Sequence, residues 1–233
     1  MTAIATNTAA VRVQYHGIKN TKIETEAFAR LSSGSRITDA SDDAAGLFVA
    51  SRMKAQISGL ERAVQNSFDG VSLVNSAEAN LNEIRNMVLR MREIAVQMAN
   101  GIYTDDPDRG FAQIEIDQLL QQIDLIAQNA NFNGVALLDG TMQNIGIQTG
   151  PTANERPSIF FKDNTTSGLQ ISSVVVSTQA NARAAMVTLE TALTSISGEL
   201  SRAGADENRV SHTISVLEQT AKATKMSRSR IMD

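Results

Sequence analysis

Residues 70–100 read GVSLVNSAEANLNEIRNMVLRMREIAVQMAN. Written as heptads, Val74, Leu81, Val88 and Ala95 occupy one seam position, and Ala77, Ile84, Met91 and Met98 occupy the other. Apolar residues sustained at this spacing form the a/d seam of a coiled coil, with Glu78, Glu83, Arg85, Arg90 and Arg92 left on the polar faces. The spacing predicts one long helix across this stretch.

The same period recurs on either side. Downstream, Ile116, Leu119, Ile123, Ile126 and Ala130 continue it after Thr104-Asp-Asp-Pro-Asp108, a run suited to a turn and the first turn of a helix. Two antiparallel helices joined at that turn are expected. Upstream, Ser41, Asp42 and Asp43 read as the cap and first turn of a helix from Ala44 to about Asn66, with Gly59 and Gly70 softening or interrupting it. Its apolar stripe is Leu47, Ala50, Ile57, Leu60 and Val64.

A third pattern starts near Gln179 and reaches the end of the chain. Met186, Leu193, Leu200, Ile214 and Ala221 alternate with Leu189, Ile196, Ala203, Val210 and Leu217, Glu207 being the polar intruder. A helix of roughly fifty residues far exceeds the usual length in globular domains. It needs a partner of matching length, which the N-terminal half supplies, so Val74, Leu81, Ile84, Val88, Met91, Ile123, Leu189, Ile196 and Leu217 are the candidate intramolecular seam.

Residues 132–177 differ in character. Asn133-Gly134 and Asp139-Gly140 are turn dipeptides, and Ile145, Ile147, Ile159 to Phe161 and Ile171 to Val176 are β-rich, which predicts short hairpins. The first forty residues scatter Ile4, Ala9, Val11, Val13, Ile18, Ile23, Ala27, Phe28 and Leu31 through a Thr, Asn and Lys background. A helix there gains little stability without a packed face. The expected fold is therefore mainly α: an elongated antiparallel long-helix coiled-coil bundle with a small β-hairpin region, divided as 1–43, 44–131, 132–177 and 178–233.

Composition excludes several kinds of chemistry. The 233 residues include no Cys, no Trp and two His, which removes disulfides, thiolate metal sites and cysteine nucleophiles and leaves little for a zinc or acid/base centre. Only 4% are aromatic, so the core is aliphatic, and the net charge of −4 comes with no concentrated basic face for nucleic acid. No apolar run is long enough to span a bilayer, so no membrane role is expected. Met1 to Gly17 lacks the features of a secretory signal, which implies a cytoplasmic protein or export by a route needing no such peptide. Asp42/Asp43 and Asp105/Asp106 sit where helix N-termini favour negative charge, and the nine methionines fall on or beside seams. No enzyme, cofactor or metal site is expected. Val71, Leu73, Val96 and Leu125 lie off the seams, and apolar residues beyond what one seam can hide point to neighbouring molecules. Joined head to tail, such contacts give a helical filament.

Several ordered motifs carry a resemblance. Arg30-Leu-Ser-Ser-Gly-Ser-Arg-Ile37, Asp42-Asp-Ala-Ala-Gly-Leu47, Asp69-Gly-Val-Ser72, Leu81-Asn-Glu-Ile84, Met91-Arg-Glu-Ile-Ala-Val-Gln97 and Phe132-Asn-Gly-Val135 closely resemble the N-terminal half of bacterial flagellin, and Ser227-Arg-Ser-Arg-Ile231 resembles a motif near the flagellin C-terminus. The resemblance implies a structural subunit of the flagellar filament, self-assembling for motility and secreted through the flagellar type III export machinery. Filament cap and junction proteins would be partners. Residues 1–43 would form the inner-tube segment of the terminal domain, and 44–233 the rod domain with its hairpin region. The variable outer domains of the family are essentially absent, which implies a thin, smooth filament surface.

Flagellins usually continue past the Ser-Arg-Ile motif into a helix that pairs with the N-terminal one and binds the export chaperone. This sequence stops at Asp233, so poor assembly by this chain alone is expected and chaperone binding is not. Many flagellins are sensed by an innate-immune Toll-like receptor through an arginine, a leucine and a glutamate. The matching positions are Arg90, Ile94 and Glu115, with isoleucine for leucine and a turn lengthened at Pro107; the alternative is that Arg90 and Glu115 pair with each other or with the next subunit. The alternative functions are a hook-filament junction protein and a non-polymerising secreted helical adaptor. Asn100-Gly-Ile-Tyr103 is similar to periplasmic flagellar core proteins, so the flagellum would lie outside the cell or in a periplasm.

Overall fold

The computed structural model describes residues 7–141 and 144–233; Ile4 of the scattered N-terminal apolar set lies outside them. The order is α1 (Thr8–Ser33), α2 (Ala44–Met98), a π turn (Asp105–Arg109), α3 (Gly110–Asn129), four short strands and α4 (Gln179–Met232). Helix accounts for 71% of the protein, in long helices that pack together with small antiparallel strand pairs beside them, which is the fold class the periodicity predicted. The chain forms two compact units, Met1–Leu60 with Gln219–Asp233, and Glu61–Glu218.

In the larger unit, α2 and α4 run antiparallel: the Gln179 side chain donates to the Ala99 carbonyl at 2.9 Å, and Arg92 meets Glu190 at 2.7 Å. Helix α3 returns along α2, as the Arg90–Glu115 contact shows. Their facing stripes form one aliphatic core in which Val74, Leu81, Ile84, Val88, Met91, Ile123, Leu189 and Ile196 are fully buried. Each such side chain contributes about 1.5–3 kcal/mol relative to exposure.

The structure corrects the sequence reading at four places. The helices expected at 44–66 and 70–100 are one helix of 55 residues. Gly70 does not break it; a Cβ there would lie 2.3 Å from Ile147 Cδ1, so this glycine gives the hairpin region a close seat on the helix. Ile171 to Val176 form no strand: Ser172 and Ser173 make a turn, the rest is irregular, and Ile171, Val174 and Val176 plug the core. Of the residues placed off the seam, some of them expected to meet neighbouring molecules, Leu73 is buried in that core, whereas Val96 and Leu125 are exposed.

The turn dipeptides behave as their chemistry requires. Strands β1 (Asn131–Phe132) and β2 (Val135–Ala136) pair antiparallel across Asn133-Gly134, both with positive φ. Strands β3 (Ile145–Gly146) and β4 (Ser158–Ile159) pair with Ile145 opposite Ile159. The Asp124 carboxylate fixes this region to α3 by accepting from the Thr166 N–H at 2.8 Å and hydroxyl at 2.9 Å.

In the smaller unit, Ile37, Ala50, Ile57, Leu60 and Ala221 are buried. The loop after α1 closes the end of α4: Met232 O accepts from the N–H groups of Arg36 at 2.6 Å and Ile37 at 3.2 Å, and the Arg36 guanidinium donates to Ile231 O at 2.9 Å.

Candidate functional site

The surface of α1 is the first candidate. Asn7 caps it by accepting from Ala9 N and Ala10 N at 3.1 Å, and Gly34, with φ of 65°, ends it in the left-handed conformation. Its 26 residues include no buried side chain. Phe28 is 71% exposed and Leu31 79%, and Val11, Val13, Tyr15, Ile18 and Ile23 are also open. Caps of this kind contribute about 1 kcal/mol each, too little to replace a packed face. So many exposed apolar groups on one element mark a surface that another element covers.

The loop joining α1 to α2 is rigidly wired. Asp42 accepts from Thr38 N at 3.1 Å, Thr38 Oγ1 at 3.0 Å, Asp39 N at 3.3 Å and the Arg30 guanidinium at 2.7 Å. The Thr38 N–H first, and Arg30 next, hold its carboxyl far below the usual carboxylate range. The capping role expected of Ser41, Asp42 and Asp43 therefore divides: Asp43 caps α2 by accepting from Gly46 N at 2.9 Å, and Asp42 binds the preceding turn.

The acidic run before α3 divides in the same way. Asp108, rather than either member of the Asp105/Asp106 pair, accepts from the Thr104 N–H and hydroxyl, which lower its pKa. Asp105 pairs at 2.7 Å with Arg109, whose side chain is only 4% exposed. Arg109 also donates to Met98 O at 2.9 Å, Asn100 O at 2.9 Å and Tyr103 O at 2.6 Å. A single buried guanidinium thus ties off the end of α2 and the whole turn. Sequence reading missed it because an arginine after Asp-Asp-Pro-Asp looks solvated; a cation closing an acidic loop was the available signal. Glu199, a buried carboxylate that accepts from Lys162 N at 3.3 Å, gave no signal, since it falls between the apolar positions of α4.

The receptor-contact candidates separate. Arg90 and Glu115 are exposed and bonded to each other at 2.8 Å, with Glu93 at 3.3 Å from the guanidinium. Glu115 first, then Glu93, raise the Arg90 pKa further. Ile94 is only 3% exposed and belongs to the core, so in this arrangement it offers a receptor no surface. Of the seam candidates, eight are fully buried in the larger unit and Leu217 is 8% exposed. Among the described residues no group of three or more His, Cys, Asp or Glu could hold a metal ion, and no helix is long and apolar enough to cross a membrane.

Residues 4–143 match the family model described as the bacterial flagellin N-terminal helical region. A flagellin of Halalkalibacterium halodurans is 35% identical over 210 residues, which are 89% of this chain and 77% of the relative. The chain belongs to the flagellin family. A flagellar filament core protein of Brachyspira hyodysenteriae is 35% identical over 220 residues, covering 88% of this chain and 77% of that one. The crystal structure of Bacillus cereus flagellin superimposes with a TM-score of 0.58 at 31% identity, over 65% of this chain and 88% of the other. Flagellins are structural proteins rather than enzymes, which agrees with a candidate site made of apolar helix surface.

Proposed function

We propose that this chain is a structural subunit of a bacterial flagellar filament. The observation that supports it most is α1, a flagellin-family helix with seven large apolar or aromatic side chains in the open and none buried. A lone subunit gains nothing from those side chains, whereas neighbours in an assembly cover them. The division at 1–43, 44–131, 132–177 and 178–233 follows as a division of labour: the first segment meets other subunits, the long helices carry load, and the hairpin region ties them together. The finer partners are the flagellar type III export machinery, filament cap and junction proteins and further copies of the chain, with the product outside the cytoplasm.

Electron microscopy after salt-induced precipitation and seeding tests this, on the chain alone and on the chain extended by the helix that follows the Ser-Arg-Ile motif in the family. Regular helical filaments from either form are the expected result. A chain that stays monomeric or aggregates shapelessly in both is instead a non-polymerising adaptor of the same fold.

A further inference from the structure

Two apolar surfaces of the larger unit are used by nothing within it, and they differ in shape. On α3, Phe111 is 69% exposed with Ile114 open one turn on, and Leu125 is open further along the same outward face, with the exposed Gln118, Gln121 and Gln122 between them. On α4, Val187, Thr191 and Thr194 line an open groove of about 700 Å³ with Met186, and the Arg92–Glu190 ion pair stands at its edge. The threonines are less polar than they look. Thr191 Oγ1 donates to Val187 O at 3.1 Å and Thr194 Oγ1 to Glu190 O at 2.9 Å, so both hydroxyls are spent on their own helix and the methyl groups are left for the groove.

Charge also distinguishes the two faces. Arg183, one turn before Val187 on the same stripe, is exposed and has no hydrogen-bond or ionic partner among the described residues. Asp117, one turn after Ile114, is exposed and accepts the Gln113 amide at 2.7 Å, with no cation beside it. The stripe from Arg183 to Thr194 covers about 16 Å of helix axis and the ridge from Phe111 to Leu125 about 21 Å.

We infer that the α3 ridge of one copy seats in the α4 groove of a second copy, with Asp117 facing Arg183 across the contact. Large side chains meet a shallow trough of methyl groups, and a free anion meets a free cation. Because ridge and groove are different patches, the contact is head to tail and leaves a ridge and a groove free after every addition, which builds an open assembly rather than a closed dimer. The inference rests on the filament reading and names the partner surface within it.

The absence of cysteine makes the test clean. Ile114→Cys and Val187→Cys are made in separate chains, mixed and oxidised. The crossed 114–187 dimer is expected to exceed either homodimer about tenfold, as for a specific contact over random collision. Adding Asp117→Arg to the first chain or Arg183→Asp to the second lowers the crossed product about threefold, as for an exposed ion pair, and combining them restores it. A random mixture of dimers, or insensitivity to both charge reversals, overturns the inference. Filaments that form without the 114–187 cross-link overturn this contact and leave the filament reading standing. A crossed dimer without filaments upholds the contact and removes the filament reading.

Discussion

Helix α1 and the middle of α2 both carry many apolar residues, yet none on α1 is buried while Val74, Ala77, Leu81, Ile84 and Val88 are entirely so. Both helices have suitable local propensity; the difference is that α2 has α3 and α4 against it. Apolar content alone therefore does not stabilise a helix here, and the partner decides. In α2 the hydrophobic effect holds the subunit together, and in α1 it is kept in reserve for assembly.

The largest way to break this contrast is a pair of truncations. Leu81→Ala removes a fully buried side chain and is expected to destabilise the subunit by about 3–4 kcal/mol. Phe28→Ala, on an open face, should leave the thermal midpoint of the monomer unchanged and act only on assembly. Calorimetry on both variants decides; equal losses would show that α1 is packed within the subunit. Next in size, Arg109→Met leaves the Met98, Asn100 and Tyr103 carbonyls and Asp105 without their shared donor, and about 2–4 kcal/mol should be lost by denaturant titration. Gly70→Ala sets a helix-propensity gain of nearly 1 kcal/mol against a Cβ 2.3 Å from Ile147 Cδ1, the end of a side chain that can turn aside, so the two effects should nearly cancel and the denaturation midpoint should move little.

Smaller effects sharpen the surface side of the comparison. Arg90→Ala opens exposed pairs with Glu115 and Glu93 and should leave the denaturation midpoint unchanged within error. Asp42 and Asp108 have folded pKa values below their unfolded ones, lowered by the Thr38 and Thr104 N–H groups first. The folded state thus binds fewer protons, so these groups stabilise it fully above about pH 4, and the contribution is lost as pH falls through the folded values. Asp42→Asn and Asp108→Asn should each flatten the acid limb of the stability profile and leave its neutral plateau parallel to that of the parent.

The sequence made the long helices legible because a seven-residue period repeated over many turns has few other readings. Gln179 as the start of α4 and the Asn133-Gly134 turn were visible for similarly local reasons. Illegible were the features set by distant partners. Gly70 reads as a breaker until Ile147 is seen against it, and Ile171 to Val176 read as a strand because β-branched residues serve a buried loop equally well. Leu73 reads as lying off the seam because its cover comes from outside it. Within the candidate site, the open face of α1 was foreseen from its scattered pattern, whereas burial of Ile94 beside exposed Arg90 depends on how α2 is turned toward its neighbours.

Hydrogen exchange along α1, followed in the free subunit and in the assembled polymer, bears most directly on the division between a self-sufficient core and a helix held for neighbours. Amides of residues 8–33 should exchange near the fraying limit in the free chain, while those around Leu81 exchange only with global unfolding, and assembly should slow α1 by at least about a hundredfold. Protection of α1 in the free subunit equal to that around Leu81, or no added protection in the polymer, would contradict the account.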